Sequence, residues 1–189
     1  MSRTEIKFAG FGGQGIGRAG YVLGKAIALH EGREAVFTQE YGPESRGGAS
    51  SSSVVASDEP IDEPFAEHPD IWVVMVQAAF DKYVPNIGPG SRLLIDADLV
   101  ETHDLPEGVE VLSIPSTRYA EALGAKIAAN VVMLGFLVAV TEAVVGAEGL
   151  RESIRTTFPP RTLEKNLEAF ERGLTFGLEL REGGGDEPA

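Results

Sequence analysis

The sequence contains no cysteine. The chain therefore supplies no disulfide, no thiolate nucleophile, no zinc site built on cysteine and no ligand for an iron–sulfur cluster. Histidine is nearly as scarce, and His30, His68 and His103 stand apart without metal-ligand spacing. We expect all three on the surface. At 189 residues, the chain is long enough to bury a core without covalent or metal cross-links, so we predict a single domain.

Basic residues are also few. Lysine and arginine total 16 against 29 acidic residues, which gives a net charge of −13. Binding to a nucleic-acid backbone draws on clustered Lys and Arg, so nucleic acid is not expected as a partner. The deficit is uneven, because residues 1–60 carry six basic and seven acidic groups. An anionic ligand is least repelled by this N-terminal third.

Long hydrophobic runs are missing as well. The longest uncharged segment, Ile127–Thr141, has fifteen residues, fewer than the roughly 20 that cross a bilayer. It contains Asn130 and Gly135, and we predict a buried helix there rather than a membrane span. Residues 1–7 lead into a strand pattern without the apolar stretch of a signal peptide. We therefore expect a cytoplasmic protein that does not associate with membranes.

Apolar segments of strand length alternate with helix-length segments, a pattern typical of a sheet covered by helices. The sequence predicts an α/β fold of the Rossmann-like kind, with an open, mostly parallel sheet and helices on both faces. The predicted strands are Ile6–Ala9, Ala35–Thr38, Ser50–Ser57, Ile71–Val76, Leu93–Ile95 and Val109–Ile114. The predicted helices are Ile16–Leu29, Thr117–Leu123, Ala128–Val145, Leu150–Thr156 and Thr162–Leu180, the last interrupted by Gly173 and Gly177. Residues 1–180 form the predicted domain, and residues 181–189 a disordered acidic tail.

Residues Gly10–Gly15 satisfy the G-x-G-x-x-G template between the first predicted strand and the first predicted helix. Glycines at such a turn let the backbone approach a diphosphate, whose charge the helix N-terminus stabilises. A strand–helix turn whose glycines only permit close packing is the alternative. The acidic residue that holds the ribose of NAD is missing, since Thr38 and Gln39 end the second strand and Glu40 follows. NAD binding is therefore disfavoured.

A second loop, residues 42–48, reads Gly-Pro-Glu-Ser-Arg-Gly-Gly. Arg46 suits a phosphate or carboxylate, or an ion pair with Glu44 that braces the loop. An ordinary surface turn with solvated charges is the alternative. Both loops follow strands, and the carboxyl ends of parallel strands form the ligand crevice of an open sheet. We therefore expect the two loops to face one site.

Two other constellations carry little weight. Tyr21 and Lys25 have the Tyr-x-x-x-Lys spacing of one dehydrogenase class, but a four-residue helical spacing arises readily by chance. Asp96 and Asp98 resemble a metal pair, but two carboxylates without further ligands more often mark the end of a strand. We predict no metal site and no catalytic residue in this chain.

Taken together, several motifs resemble the gamma subunit of 2-oxoacid:ferredoxin oxidoreductases over roughly residues 4–175. They are the glycine motif at 10–15, the loop at 42–48, the segment Asp70–Gln77, Asp96, the Leu-Gly pair at 123–124 and the Ala-Ala-Asn-Val-Val-Met-Leu-Gly segment at 128–135. Each motif alone is weak, but their order and spacing are specific.

The resemblance implies a subunit of an enzyme that oxidatively decarboxylates a 2-oxoacid to its acyl-coenzyme A and reduces ferredoxin. 2-Oxoglutarate is favoured over pyruvate, because the subunit is separate rather than fused. Thiamine diphosphate, Mg²⁺ and iron–sulfur clusters would lie in partner subunits, namely alpha and beta, with or without delta. Ferredoxin would be bound through those partners. The chain alone would be inactive.

The resemblance also implies that this subunit binds coenzyme A. By this resemblance, backbone phosphate contacts are assigned to Gly12, Gly13 and Gly15, a polar contact to Gln14, and anion or interface roles to Glu44, Arg46 and Asn130. Whether the 42–48 loop touches coenzyme A or braces a neighbouring subunit stays open. The alternatives are an NAD(P)-dependent dehydrogenase and a nucleotide-sensing regulatory domain.

Overall fold

The computed structural model describes residues 3–41, 49–141 and 144–183. The strands are β1 Arg3–Phe11, β2 Glu34–Tyr41, β3 Ala49–Ser57, β4 Ile71–Val74, β5 Arg92–Asp96 and β6 Glu110–Ile114. The helices are α1 Ile16–His30, α2 Gln77–Tyr83, α3 Ser116–Ala122, α4 Ala129–Thr141, α5 Ala147–Thr157 and α6 Pro160–Arg181. Short 3₁₀ turns occur at Val84–Asn86 and Lys126–Ala128. Sequence periodicity predicted every strand and missed only helix α2, whose seven residues span about two turns.

The six strands form one mixed sheet in the order β2-β3-β1-β4-β5-β6. Strands β1, β4, β5 and β6 are parallel, as predicted, whereas β3 pairs antiparallel with both β1 and β2. The antiparallel strand was not expected, because the serine-rich segment signals a strand but not its direction. The open α/β architecture is confirmed.

Strand β2 runs in the same direction as β1, since both oppose β3. Tyr41 at the end of β2 and Gly10 at the end of β1 both pair with Ser50. The segment 42–48 therefore starts and finishes at the sheet edge that carries the glycine loop. The segment itself, with Glu44 and Arg46, lies outside the described residues.

Helices cover both faces of the sheet. The larger core lies between the sheet and helices α1 and α3–α6, and includes Phe8, Leu94 and Phe136. The smaller core lies on the opposite face, where α2 packs Phe80 against Trp72. None of the helices within the described ranges has both the length and the hydropathy that a membrane span needs.

Helices α4 and α6 pack side by side in parallel. All thirteen residues of α4 are buried within this chain, which confirms the expectation for an all-apolar segment. Gly173 and Gly177 do not interrupt α6, contrary to the sequence-based expectation; instead they let its backbone approach Val132 and Ala139 of α4. Helix α6 extends to Arg181, one residue into the predicted tail, and residues 184–189 lie outside the described residues.

Candidate functional site

The glycine loop turns the chain from β1 into α1. Gly13 and Gly15 have φ angles of +100° and +75°, in the left-handed region that favours glycine. Gly15 is the N-cap of α1, where no side chain caps the helix and the first turn has no acidic residue. The amide hydrogens of this first turn are thus available to an anion, towards which the helix dipole points its positive end.

Gln14 holds the loop from within. The side-chain Oε1 of Gln14 accepts a hydrogen bond from the backbone amide of Phe11 at 2.8 Å, and the backbone amide of Gln14 donates to the Phe11 carbonyl at 3.2 Å. The side-chain oxygen is therefore committed to the loop. If Gln14 makes the predicted polar contact with a ligand, its Nε2 group is the part of the side chain that remains to donate the hydrogen bond.

Asn130 lies beside the loop although it is 115 residues away in sequence. It stands at the start of α4, is only 3% exposed, and donates from Nδ2 to the Gly15 carbonyl at 2.9 Å. A Cβ at position 15 would collide with this amide, so close approach as well as φ requires glycine there. The Asn130 Oδ1 has no hydrogen-bond partner among the described residues. A buried acceptor of this kind suits a ligand N–H or O–H group.

A cleft of about 750 Å³ opens in front of the glycine loop, between α1 and the start of α6. Its floor includes Gly12 and Gly13, and the end of β2 contributes Gln39. The opposite wall carries Arg161 from the first turn of α6. The predicted loop therefore belongs to a ligand-sized cavity.

A smaller pocket of about 400 Å³ adjoins the other side of the loop, beyond the ends of β4 and β5. Met75, Leu99 and Ala129 make it largely apolar. The cleft and the pocket share Gly13 and Ile127, and Ile127 is 70% exposed on the ridge between them. The glycine loop thus lies between a larger cavity that carries two arginines and a smaller one with a more apolar lining.

The end of β2 disfavours an NAD site. The Gln39 side-chain amide lies against Gly17 in the first turn of α1. Glu40 points to the other face of the sheet, where it accepts a hydrogen bond from Ser51 at 3.1 Å and lies 3.7 Å from Lys7. A neutral amide, and not a carboxylate, therefore lines the cleft at the end of β2.

The Tyr21–Lys25 pair does not form a dehydrogenase site. Lys25 donates to the hydroxyls of Thr156 and Thr157 on α5, at 2.8 and 3.2 Å. Tyr21 packs edge-on against Phe37. The lysine therefore links two helices.

Asp96 and Asp98 have structural roles. Asp96 is fully buried and accepts from the Ser116 hydroxyl at 2.5 Å and from the Thr117 amide and hydroxyl at 2.9 and 2.7 Å. It thereby holds the start of α3 against the end of β5. Asp98 pairs with Arg118. Among the described residues, no group of three or more potential ligands is placed to hold a metal ion.

The structure brings together five of the seven predicted site residues. Gly12, Gly13, Gly15 and Asn130 line the cleft, and Gln14 lines the apolar pocket, whereas Glu44 and Arg46 lie outside the described residues. Sequence reasoning missed Arg18, Gln39, Ile127 and Arg161. Arg18 carried a signal, since it follows the last motif glycine by three residues; only the tertiary fold places Arg161 near it.

Known proteins share both sequence and fold with this chain. The family model for pyruvate ferredoxin/flavodoxin oxidoreductase matches residues 5–176. The 2-oxoglutarate synthase subunit KorC of Methanocaldococcus jannaschii is 50% identical over 180 residues, which cover 94% of this chain and 96% of that protein.

Two solved structures are similar. The gamma subunit of keto/oxoacid ferredoxin oxidoreductase from Geobacter sulfurreducens is 37% identical with a TM-score of 0.83, over 94% of this chain and 98% of that one. The 2-oxoglutarate:ferredoxin oxidoreductase from Magnetococcus marinus, solved with 2-oxoglutarate, coenzyme A and succinyl-CoA bound, is 26% identical with a TM-score of 0.85. This match covers 94% of the present chain and 31% of the Magnetococcus chain. With a family model spanning nearly the whole domain, the chain belongs to the pyruvate ferredoxin/flavodoxin oxidoreductase family.

Proposed function

We propose that this chain is the gamma subunit of a multi-subunit 2-oxoacid:ferredoxin oxidoreductase and that it binds and positions coenzyme A. The enzyme oxidatively decarboxylates the 2-oxoacid to its acyl-coenzyme A and passes the electrons to ferredoxin. 2-Oxoglutarate is the proposed substrate, because the Methanocaldococcus relative is named for its synthase and the Magnetococcus structure holds 2-oxoglutarate.

The uncapped N-terminus of α1 behind the left-handed glycines carries this proposal. Backbone amides at such a turn bind a diphosphate, and coenzyme A contains one. The amide of Gln39 at the end of β2 disfavours the dinucleotide alternative. By holding coenzyme A beside the oxidised substrate adduct, the subunit converts a bimolecular thiolysis into an effectively unimolecular step.

The remaining chemistry is assigned to partners. The cysteine-free chain cannot ligate an iron–sulfur cluster through thiolates. Alpha and beta subunits, with or without a delta subunit, would carry the clusters, Mg²⁺ and thiamine diphosphate, which supplies carbanion stabilisation. Ferredoxin would bind through them. The cytoplasm is the proposed compartment, with which a chain that contains no cysteine is compatible.

The test replaces Gly13 with alanine in the assembled enzyme. A Cβ at Gly13 meets no atom within 4 Å and would enter the cavity in front of the loop, at a φ of +100°. We expect the KM for coenzyme A to rise about tenfold, as for one lost charge-assisted hydrogen bond. Decarboxylation of 2-oxoglutarate, measured as release of carbon dioxide, should persist.

Gly90→Ala is the matched control. Gly90 also has open space around it and a φ of +81°, but it precedes β5 at the opposite edge of the sheet. Backbone strain is therefore common to both variants, and only Gly13→Ala should change coenzyme A use. Equal effects of the two variants, or parallel loss of decarboxylation in a folded Gly13→Ala complex, would contradict the proposal.

A further inference from the structure

The cleft between α1 and α6 differs in charge from the rest of the molecule. The whole chain carries 29 acidic residues in 189 and a net charge of −13. Of the eighteen described residues that line the cleft, none is Asp or Glu. The charged residues among them are two arginines, Arg18 and Arg161. The cleft is therefore a place on this acidic chain where a multiply charged anion meets little local repulsion.

Both arginines line the cleft near Phe158. The Arg18 guanidinium lies 5.5 Å from the centre of the Phe158 ring, at the connection between α5 and α6. Arg161 stands three residues further on, in the first turn of α6. Neither has an ion-pair partner within the described ranges, whereas Arg92 and Arg151 are paired with glutamates. Two exposed guanidinium groups at one wall suit bidentate binding of a phosphate.

Two further observations point to a ligand in this cleft. Helices α1, α4 and α6 each contribute a residue of their first turn to the lining of the cleft, namely Ile16, Asn130 and Arg161, so the positive ends of three helix dipoles lie beside it. Independently, the 3%-exposed Asn130 lies in its wall with Oδ1 unpartnered among the described residues. A diphosphate has no hydrogen to donate at neutral pH, so a neutral N–H or O–H group of the same ligand would suit Oδ1.

Coenzyme A has matching asymmetry. Its adenosine end carries a diphosphate and a separate 3′-phosphate, together with hydroxyl and amino donors. Its pantetheine arm is uncharged, carries two amides and a hydroxyl among methylene and methyl groups, and ends in the thiol. The apolar pocket with Met75 and Leu99 lies across the Ile127 ridge from the arginines.

We propose that coenzyme A binds in one direction across the glycine loop, with its 3′-phosphate held by Arg18 and Arg161. The pantetheine arm crosses Ile127 into the apolar pocket, and Asn130 Oδ1 accepts from a donor of the bound molecule. This inference rests on the proposed function, and it adds the direction of the ligand and the residues that recognise the 3′-phosphate.

The test compares coenzyme A with 3′-dephospho-coenzyme A in the assembled enzyme. In Arg161→Gln, the KM for coenzyme A should rise by about tenfold or more, the size of a lost hydrogen bond to a charged group. The KM for the dephospho compound should change less than about twofold, and kcat should be unchanged with either. Arg172→Gln is the matched control, because Arg172 is an exposed arginine of the same helix outside the cleft.

A second variant tests the other end. Ile127→Asn should raise the KM equally for coenzyme A and its dephospho form, since both carry the pantetheine arm. Leu178→Asn, at another exposed apolar residue, is its control and should leave both unchanged.

Equal effects of Arg161→Gln on the two compounds would overturn the proposed direction, as would no effect on either. If Gly13→Ala still weakens coenzyme A use in that case, only the direction is wrong. If Gly13→Ala is also without effect, the proposed function fails as well.

Discussion

At the scale of single residues, two amide side chains determine the shape of the glycine loop. Gln14 accepts from the Phe11 amide, and Asn130 donates to the Gly15 carbonyl. Each amide spends part of its hydrogen-bonding capacity on the loop backbone. The loop is therefore preorganised, which reduces the entropic cost of ordering it around a ligand. The sequence placed Gln14 in a motif but gave no sign that its oxygen turns inward.

His103 fastens the connection between β5 and β6 to helix α2. Its Nε2 lies 3.0 Å from Asp81 and its Nδ1 3.3 Å from Asp104. Gln77 joins the same cluster through hydrogen bonds with Asp81 and with the backbone of Glu101. The connection held in this way includes Leu99, a wall of the apolar pocket. The sequence-based expectation that His103 lies on the surface is confirmed. The sequence did not predict that its side chain connects the β5–β6 loop to α2.

The His103–Asp81 pair should be pH-dependent. The hydrogen bonds that His103 donates to Asp81 and then to Asp104 raise the pKa of His103, and the hydrogen bonds that Asp81 accepts from Gln77 and then from His103 lower the pKa of Asp81. The histidine contribution to stability is complete below its ordinary pKa and is lost as pH rises through the raised pKa. The aspartate contribution is complete above its ordinary pKa and is lost as pH falls through the lowered one. Both contributions are therefore complete between the ordinary pKa of aspartate and the ordinary pKa of histidine, and the pair should stabilise the protein most in that pH range.

NMR titration of the His103 ring checks this prediction. Asp81→Asn should bring the His103 pKa down towards that of a free histidine. Asp104→Asn should lower it less, since its hydrogen bond is the longer one. A larger shift in Asp104→Asn than in Asp81→Asn would show that the assignment of partners is wrong.

At the scale of secondary structure, glycine has two unrelated functions in this fold. In the loop it permits φ angles that other residues avoid, whereas in α4 and α6 it permits two backbones to touch. The sequence predicted the first use, because the template fixes its spacing after a strand. It could not predict the second, because a glycine inside an amphipathic segment indicates an interruption unless its partner helix is known. The direction of β3 was hidden for a similar reason, since strand pairing is non-local.

Gly173→Ala should destabilise the protein strongly. A Cβ there would lie closer than 3.0 Å to the Val132 backbone, and a backbone atom cannot turn aside as a side chain does. We expect a loss of about 3 kcal/mol in the free energy of unfolding, typical of severe overpacking. Urea denaturation of the purified chain measures it.

Gly24→Ala is the matched control, since Gly24 is also a buried glycine in a helix. Its Cβ would meet Phe37 and Val54 at 3.7 Å or more, an ordinary contact distance. Alanine also has the higher helix propensity, by about 1 kcal/mol. This variant should be unchanged or slightly more stable. A Gly173→Ala protein as stable as Gly24→Ala would disprove the close α4–α6 contact.

At the scale of the whole molecule, the strand order places the parts of the candidate site at one edge of the sheet. β1, β2 and β4 end on the same side, so the glycine loop, the end of β2 and the Met75 pocket become neighbours. From the position of both loops after strands, the sequence predicted that the glycine loop and the 42–48 loop face one site, but it did not predict the Met75 pocket. The 42–48 loop lies outside the described residues. The sequence could not predict the Arg161 wall, because that depends on how α6 docks on α4. Charge statistics pointed to residues 1–60, and these contribute ten of the eighteen described residues that line the cleft.

The assignment as a gamma subunit predicts dependence on partner chains. The purified chain, supplied with 2-oxoglutarate, coenzyme A and ferredoxin, should release no carbon dioxide and reduce no ferredoxin. Expressed in its native host with an affinity tag, it should co-purify with iron–sulfur and thiamine diphosphate proteins. Mass spectrometry and visible absorption of the isolated complex would show them. A lone chain that reduces NAD with a substrate would refute the assignment.

The close α4–α6 contact also sets the register of the cleft. Gly173 and Gly177 fix where α6 packs on α4, so the eleven helical residues between Arg161 and Gly173, Thr162 to Arg172, determine the position of Arg161. One residue inserted into this segment would rotate Arg161 by about 100° around the helix axis and shift it by about 1.5 Å along that axis. The guanidinium would then leave the cavity although no lining residue had been changed. Helix length between the glycine contacts and the first turn is therefore a constraint on the ligand site itself.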